Sequence, residues 1–266
     1  MSRTICFLAV VVAIHFAGFV PAQEDPTLTV AAAMESPDHP SIGRDLGEVA
    51  GIEHFYLPIR PDVALETRLD VLIDFSTPEG TMHVLPLCVQ SRIPLVIATT
   101  GHTPAQKAEI ETAAHSTALL MAPNMSLAVN VLFTLTRQAA TLLAGKGFDV
   151  EIIERHHRFK KDAPSGTALH FARLVQEAMG QTELRYGREG LTGERPPQEI
   201  GMHALRVGDN VGEHTIVFST LGETLELVHK GHTRDSYARG ALAAAKFLAN
   251  RPAGRYTMND VLGLAK

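Results

Sequence analysis

From Thr27 to about Asn124, short apolar runs alternate with helix-like stretches. TLTVAAAME ends at Glu35, LDVLIDFS spans Leu69–Ser76, PLVIATTG spans Pro94–Gly101 and ALLMAPN spans Ala118–Asn124. Unbroken apolar runs of this length predict strands covered on both faces. Between them, Pro78-Glu79-Gly80 opens a helix, because the first turn tolerates the missing proline N–H. Thr103-Pro104 opens another, which runs to about His115. Strands about 25 residues apart with a helix between them imply right-handed crossovers and a parallel sheet. Ligands of such sheets lie beyond the carboxyl ends of the strands. Those positions hold Glu35, Phe75-Ser76-Thr77, Ala98-Thr99-Thr100 and Ala122-Pro123-Asn124.

After Leu127 the apolar residues recur at helical spacing to about Ala144, and the pattern then changes. FDVEIIERHH predicts a strand. Strand-like runs follow from Gly201 to Gly231, joined at Gly208-Asp209-Asn210 and Leu221-Gly222-Glu223, and the last two predict an antiparallel hairpin. Arg185–Gly201, with its glycines and adjacent prolines, predicts a long loop. Helix returns at about Ser236–Asn250. The chain therefore divides into an α/β lobe, residues 1–126 with 241–266, and an α+β lobe with a mostly antiparallel sheet, residues 127–240.

The start departs from this order. Ile5–Ile14 is unbroken apolar sequence after a single arginine, and Val20-Pro21-Ala22 follows it. Locally this pattern fits a secretory signal peptide first. It also fits the buried first strand of the sheet. Interrupted by His15, it is short for a membrane span, which needs about 20 apolar residues.

Composition narrows the function classes. The 24 Lys+Arg against 29 Asp+Glu give a net charge of −5, so no global basic field attracts nucleic acid. Hydrophobic residues at 45% and charged residues at 20% are ordinary for a folded soluble chain. Cys6 and Cys88 cannot build a disulfide framework, and nothing has zinc-ligand spacing, so no metal is expected.

The chemistry concentrates at Glu154–Leu169, E-R-H-H-R-F-K-K-D-A-P-S-G-T-A-L. Arg155, Arg158, Lys160 and Lys161 stand beside His156 and His157, a cationic stretch with imidazoles that exchange protons near neutral pH. Ser165 is positioned to cap the helix that follows, leaving the Gly166 and Thr167 amides for a carboxylate or phosphate. A basic run is usually only a solvated face, and Ser-Gly-Thr usually only a cap. Together they point to a small substrate bearing at least one carboxylate. The two histidines point to opposite sides of a strand, which disfavours a shared metal. Ser165 lacks the G-x-S-x-G setting of a nucleophile.

These residues carry a resemblance. EIIERHHRFKKDAPSGTAL resembles the signature of the 4-hydroxy-tetrahydrodipicolinate reductase (dihydrodipicolinate reductase) family of lysine and diaminopimelate biosynthesis. DFSTPEGT, IATTGH, APNMSLAVN, YGREGLTGER, VGEHTIVF and LELVHKGHTRDSYARGA extend it over about residues 27–266. The resemblance implies a Rossmann-like dinucleotide-binding domain, a substrate-binding and oligomerisation domain, NADPH or NADH as cofactor, a cyclic dicarboxylate substrate, a homotetramer and a cytoplasmic enzyme without nucleic-acid or membrane partners. It implies that His156 is the proton donor and acceptor and Lys160 a proton donor, with His157, Gly166 and Thr167 on the substrate carboxylates. Ala98, Thr99, Thr100, Ala122, Pro123, Asn124 and Met125 correspond to the nicotinamide side, and Glu35 to the ribose hydroxyls. Ser36 stands where NADP-using members often have a basic residue.

One family feature has no counterpart. A G-x-x-G-R-M-G loop would fall near Ala9–Ile14, which read Ala-Val-Val-Val-Ala-Ile, and Gly18 is the only glycine in the first 40 residues. A shifted reading frame or gene-model boundary explains this best, because the match begins abruptly near Gln23 with almost normal spacing to Glu35. A degenerate reductase with impaired nucleotide binding comes second, and an exported, non-catalytic member of the fold third. Cleavage after residue 22 would leave a sheet edge uncovered, which disfavours the third.

Overall fold

The computed structural model describes residues 5–10, 25–63 and 68–264. Two compact units divide the chain: residues 1–127 with 235–266, and residues 128–234.

The first unit holds a seven-stranded, all-parallel sheet. Its strands are β1 (Ile5–Val10), β2 (Leu28–Met34), β3 (Ile59–Arg60), β4 (Val71–Asp74), β5 (Leu95–Ile97), β6 (Ala118–Met121) and β12 (Gly254–Tyr256). They lie in the order β3-β2-β1-β4-β5-β6-β12. Side chains alternate across the sheet, and both faces are covered, which is why the strands read as continuous apolar sequence. Val71, Ile73, Val96 and Leu120 join one core with Ala241, Ala244, Ala245 and Leu248 of α6 (Asp235–Leu248). Leu72, Leu95, Ile97 and Leu119 join the other, with Val84 and Cys88 of α2 (Pro78–Ser91) and Ile110 of α3 (Pro104–Ala113). Thr77 and Thr103 cap α2 and α3, each with proline in the first turn. A methyl group on Gly240 of α6 would fall 1.7 Å from the Met125 carbonyl oxygen, so only glycine allows this approach of helix to turn. The short α1 (Leu46–Ala50) and α7 (Met258–Val261) complete this unit among the described residues.

Ile5–Val10 therefore takes the strand alternative, paired in parallel with β2 on one side and β4 on the other. Ala9 and Val10 close that strand. Residues 11–14 of the expected glycine loop, and the rest of the leader-like segment 1–22, lie outside the described residues.

The second unit carries a five-stranded sheet in the order β11-β10-β7-β9-β8. Its strands are β7 (Asp149–His156), β8 (Glu183–Tyr186), β9 (Glu199–Arg206), β10 (Gly212–Thr220) and β11 (Glu223–Gly231). The hairpin β10–β11 and the β10–β7 pair are antiparallel, while β7–β9 and β8–β9 are parallel. The sheet is thus mixed: β7, β10 and β11 pair antiparallel, in keeping with the sequence pattern, and β9 and β8 are added in parallel. The expected loop 185–201 is also shorter, because β8 and β9 take its ends. One face packs on α4 (Leu127–Leu143) and α5 (Gly166–Met179), with Phe133, Phe171, Val175, Val150, Ile152, Ile216 and Phe218 in the core.

Candidate active site

In the second unit the period of two along β7 puts Val150, Ile152, Glu154 and His156 on the buried face and Glu151, Ile153 and Arg155 on the other. The buried row is apolar under the helices and becomes ionisable at the end of the strand, beside the start of α5. Glu154 is 1% exposed. Its Oε2 accepts hydrogen bonds from His156 Nδ1 at 2.5 Å and Arg206 Nη1 at 2.8 Å; its Oε1 accepts from Arg206 Nη2 at 2.8 Å and the Ser165 N–H at 3.0 Å. Burial alone would raise the Glu154 carboxyl, but the bonds from His156 and Arg206 outweigh it and hold it at about 2.

Ser165 is the N-cap of α5, its Oγ accepting from the Ala168 N–H at 3.2 Å. Gly166 and Thr167 are the first two residues of that helix. Nothing lies within 4 Å of a methyl group built on Gly166, so space is open beside the helix start. His214 of β10 is 2% exposed, with Nε2 3.3 Å from Ser165 Oγ; burial and the neighbouring His156 and His229 push it down to about 3. Burial also lowers His157, assisted by Arg234, His156, Lys160 and Arg206. His157 is therefore a neutral hydrogen-bonding ring near pH 7.

The structure brings His156, His157, Lys160, Gly166 and Thr167 onto one strand-to-helix connection, but it thins the cationic loop. Lys160 Nζ is 2.8 Å from Asp162 Oδ1, and Arg155 is 3.1 Å from Glu213 on β10. Both cations have carboxylate partners, one of them invisible to local sequence. Glu154, Arg206 and His214 were missed. Glu154 had a signal, since it stands two residues before His156 on the same strand face. Arg206 had none: it lies 50 residues on and arrives through the β7–β9 register, which pairs it with His156.

Glu151, on the outward face of the same strand, is bound by Arg188, Arg195 and His203. Burial would raise it, and these partners hold it instead at about 2. Glu151 and Glu154 both drop from an ordinary value of 4.5, so their stabilising effect is complete above that pH and is lost as pH falls through about 2. Urea midpoints are expected to fall steeply between pH 5 and pH 2. A Glu151→Gln, Glu154→Gln double variant should show a flatter profile, and an equal slope in both proteins would refute the assignment.

The first unit holds the other candidate residues at the carboxyl edge of its sheet. Glu35 follows β2, is 5% exposed, and accepts the Ser36 N–H at 2.7 Å. Asp74 ends β4 in full burial; its Oδ1 accepts from the Ser76 N–H at 2.7 Å and Thr99 Oγ1 at 3.1 Å, and Thr81 donates to Oδ2. This carboxylate was also missed, and it ties the Ser76 and Thr99 loops together. Thr99 is buried between half-buried Ala98 and exposed Thr100. Ala122, Asn124 and Met125 are buried and Pro123 exposed, with Asn124 Oδ1 accepting the Ser126 N–H at 2.8 Å. His102, in the loop after β5, is 5% exposed and its Nε2 has no hydrogen-bond partner. Among the described residues, no group of three or more His, Cys, Asp or Glu side chains could hold a metal ion.

Comparison with known proteins adds independent findings. Residues 20–125 match the family described as dihydrodipicolinate reductase, N-terminus, and residues 128–262 match dihydrodipicolinate reductase, C-terminus. The 4-hydroxy-tetrahydrodipicolinate reductase of Anaeromyxobacter dehalogenans strain 2CP-1 is 45% identical over 243 residues, 90% of each chain. That of Syntrophus aciditrophicus strain SB is 44% identical over 246 residues, 91% of each. In fold, a dipicolinate-bound dihydrodipicolinate reductase from Paenisporosarcina sp. TG-14 superposes with a TM-score of 0.76 at 24% identity, covering 96% of this chain and 97% of that one.

Proposed function

The chain belongs to the dihydrodipicolinate reductase family, and from that premise we propose how its residues divide the work of the reaction. It is an NAD(P)H-dependent oxidoreductase that reduces 4-hydroxy-tetrahydrodipicolinate to tetrahydrodipicolinate with loss of water, in lysine and diaminopimelate biosynthesis. The observation that carries this function is identity near 45% across nine-tenths of the chain to reductases of that name.

The strand order 3-2-1-4-5-6 and the polar groups at its carboxyl edge fit a dinucleotide. In that edge Glu35 would hold the ribose hydroxyls, Thr99, Thr100, Asn124 and Met125 with their neighbours Ala98, Ala122 and Pro123 would line the nicotinamide side, and the orphaned His102 Nε2 offers a further polar contact. When bound, the reduced nicotinamide supplies the hydride that ends on carbon 4. The net balance is one hydride and one proton taken up and one water released. His156 handles the proton, and Lys160, held by Asp162 at 2.8 Å, is a second donor. The Gly166 and Thr167 amides and neutral His157 hold the substrate carboxylates, favoured by the positive end of α5.

Glu35 followed by Ser36, with no cation at the second position, favours NADH over NADPH, because a carboxylate repels a 2′-phosphate and Ser36 cannot neutralise it. Ser36→Arg is expected to raise the NADPH-to-NADH ratio of kcat/KM about tenfold. An unmoved ratio would remove this position from the nucleotide site.

Ile153, Leu205 and Val228 lie on the outward face of the second sheet at 37–49% exposure. That surface suits assembly into a homotetramer, and light scattering should give the mass of four 28.8-kDa chains. We place the enzyme in the cytoplasm, where reduced nicotinamide is supplied; no helix among the described residues is long and apolar enough to cross a membrane. The function is tested by following NADH and NADPH oxidation with 4-hydroxy-tetrahydrodipicolinate generated in situ by its synthase. Oxidation that requires the synthase supports the assignment, and no oxidation by the folded protein would overturn it.

A further inference from the structure

We infer that Glu154 is a positioning residue: it holds the His156 ring by Nδ1–H, which leaves Nε2 as the atom that exchanges the proton, and it locks the N-terminus of α5 to that ring. This inference rests on the role given to His156 above and adds a residue that acts through it.

The acceptor count of the carboxylate makes the case. An ionised carboxylate accepts at about four sites and donates at none. Four donors fill them here: His156 Nδ1, two Arg206 nitrogens and the Ser165 N–H. Arg206 has no acceptor capacity, and its paired contacts fit only the ionised form. The short contact to His156 therefore runs from Nδ1–H to oxygen. A neutral imidazole carries one N–H, so the basic lone pair is left on Nε2. The same carboxylate holds the amide of Ser165, the cap immediately before Gly166 and Thr167. Proton-handling ring and carboxylate-binding amides thus share one anchor, which favours a fixed spacing between them.

Other charged and titratable groups around the ring do not supply this function. Arg206 approaches from β9 and binds the carboxylate and the Asp162 carbonyl oxygen. His214 approaches from β10, with His229 of β11 behind it, and burial lowers both. They are neutral near pH 7. Lys160 pairs with Asp162 on the loop, and His157 is lowered by burial and nearby cations. Glu154 is the carboxylate bonded to the His156 ring.

The test combines spectroscopy with kinetics on the full chain. With ¹⁵N-labelled histidine, His156 is identified by the signal lost in His156→Gln. At pH 8 the wild-type ring is expected to be protonated at Nδ1, and in Glu154→Gln chiefly at Nε2. Glu154→Gln should lower kcat roughly 10²–10⁴-fold, the upper end being the loss seen when the carboxylate that orients a catalytic imidazole is removed. Its kcat/KM profile against pH should differ from that of the wild type, because the charge beside the ring is gone. Glu154→Asp, which keeps the charge, should retain the wild-type profile. Added to His156→Ala, Glu154→Gln should change kcat less than about twofold. Nε2 protonation in the wild type would overturn the inference, even if the variant fails to fold. So would an unmoved pH profile, or a full additional loss of rate in the His156→Ala background. The tautomer needs no turnover, so it separates failure of this inference from failure of the reductase assignment.

Discussion

Alanine in place of His156 is expected to lower kcat roughly 10²–10⁴-fold, the range for loss of a positioned group that transfers a proton. The variant removes the ring but leaves the carboxylate beneath it with three donors, two from Arg206 and one from the Ser165 amide. The buried charge therefore stays compensated and the protein should fold. The Gly166 and Thr167 amides also remain, so substrate KM should rise much less than kcat falls. That split distinguishes loss of proton transfer from loss of binding. Steady-state oxidation of NADH at saturating substrate measures it. An unchanged kcat would sink the assignment, and a rise in KM alone would recast His156 as a binding residue.

Arg206→Ala is expected to be the most destabilising change at the site, by about 3 kcal/mol. It removes both guanidinium bonds to a carboxylate that is only 1% exposed, and with them the bond to the Asp162 carbonyl oxygen. Glu154 would keep two donors for four acceptor sites in a place that water hardly reaches. The cost is therefore the desolvation of a half-paired charge rather than the loss of a surface ion pair. Calorimetry should show Tm lowered by roughly 5–10 °C. Arg206→Lys should recover only part of this, because an ammonium cannot make the paired contact. A shift below about 1 °C would mean that water reaches Glu154 and that the buried pair is not what holds this end of the sheet.

The contrast between Glu154 and Arg206 shows which parts of the site were legible. Helix α5 was readable in full because its signals are local: Ser165 caps it, Gly180 ends it with a positive φ of 77°, and apolar residues recur between them. The parallel strands of the first unit were readable because burial on both faces leaves continuous apolar runs. β8 was not: three of the four residues Glu183–Tyr186 are exposed, so no alternation marks it, and β9 supplies its reason to exist. The cationic loop was read too simply. Asp162 stands two residues from Lys160 and could have been paired with it, whereas Glu213 reaches Arg155 only through the β7–β10 register. Charges counted along a chain include partners only when those partners are near in sequence.

The discontinuity of the first unit has a consequence for synthesis. Residues 128–234 form one uninterrupted stretch, so their sheet and helices can close as soon as the ribosome has released them. The unit that begins the chain cannot do the same. Its core takes Ala241, Ala244, Ala245 and Leu248 from a helix made more than a hundred residues after β6, and its last strand, β12, pairs with β6 still later. The amino-terminal strands therefore emerge first and finish last. Throughout translation of the middle segment their apolar surface stands open to chaperones, and pausing before residue 235 would prolong that exposure.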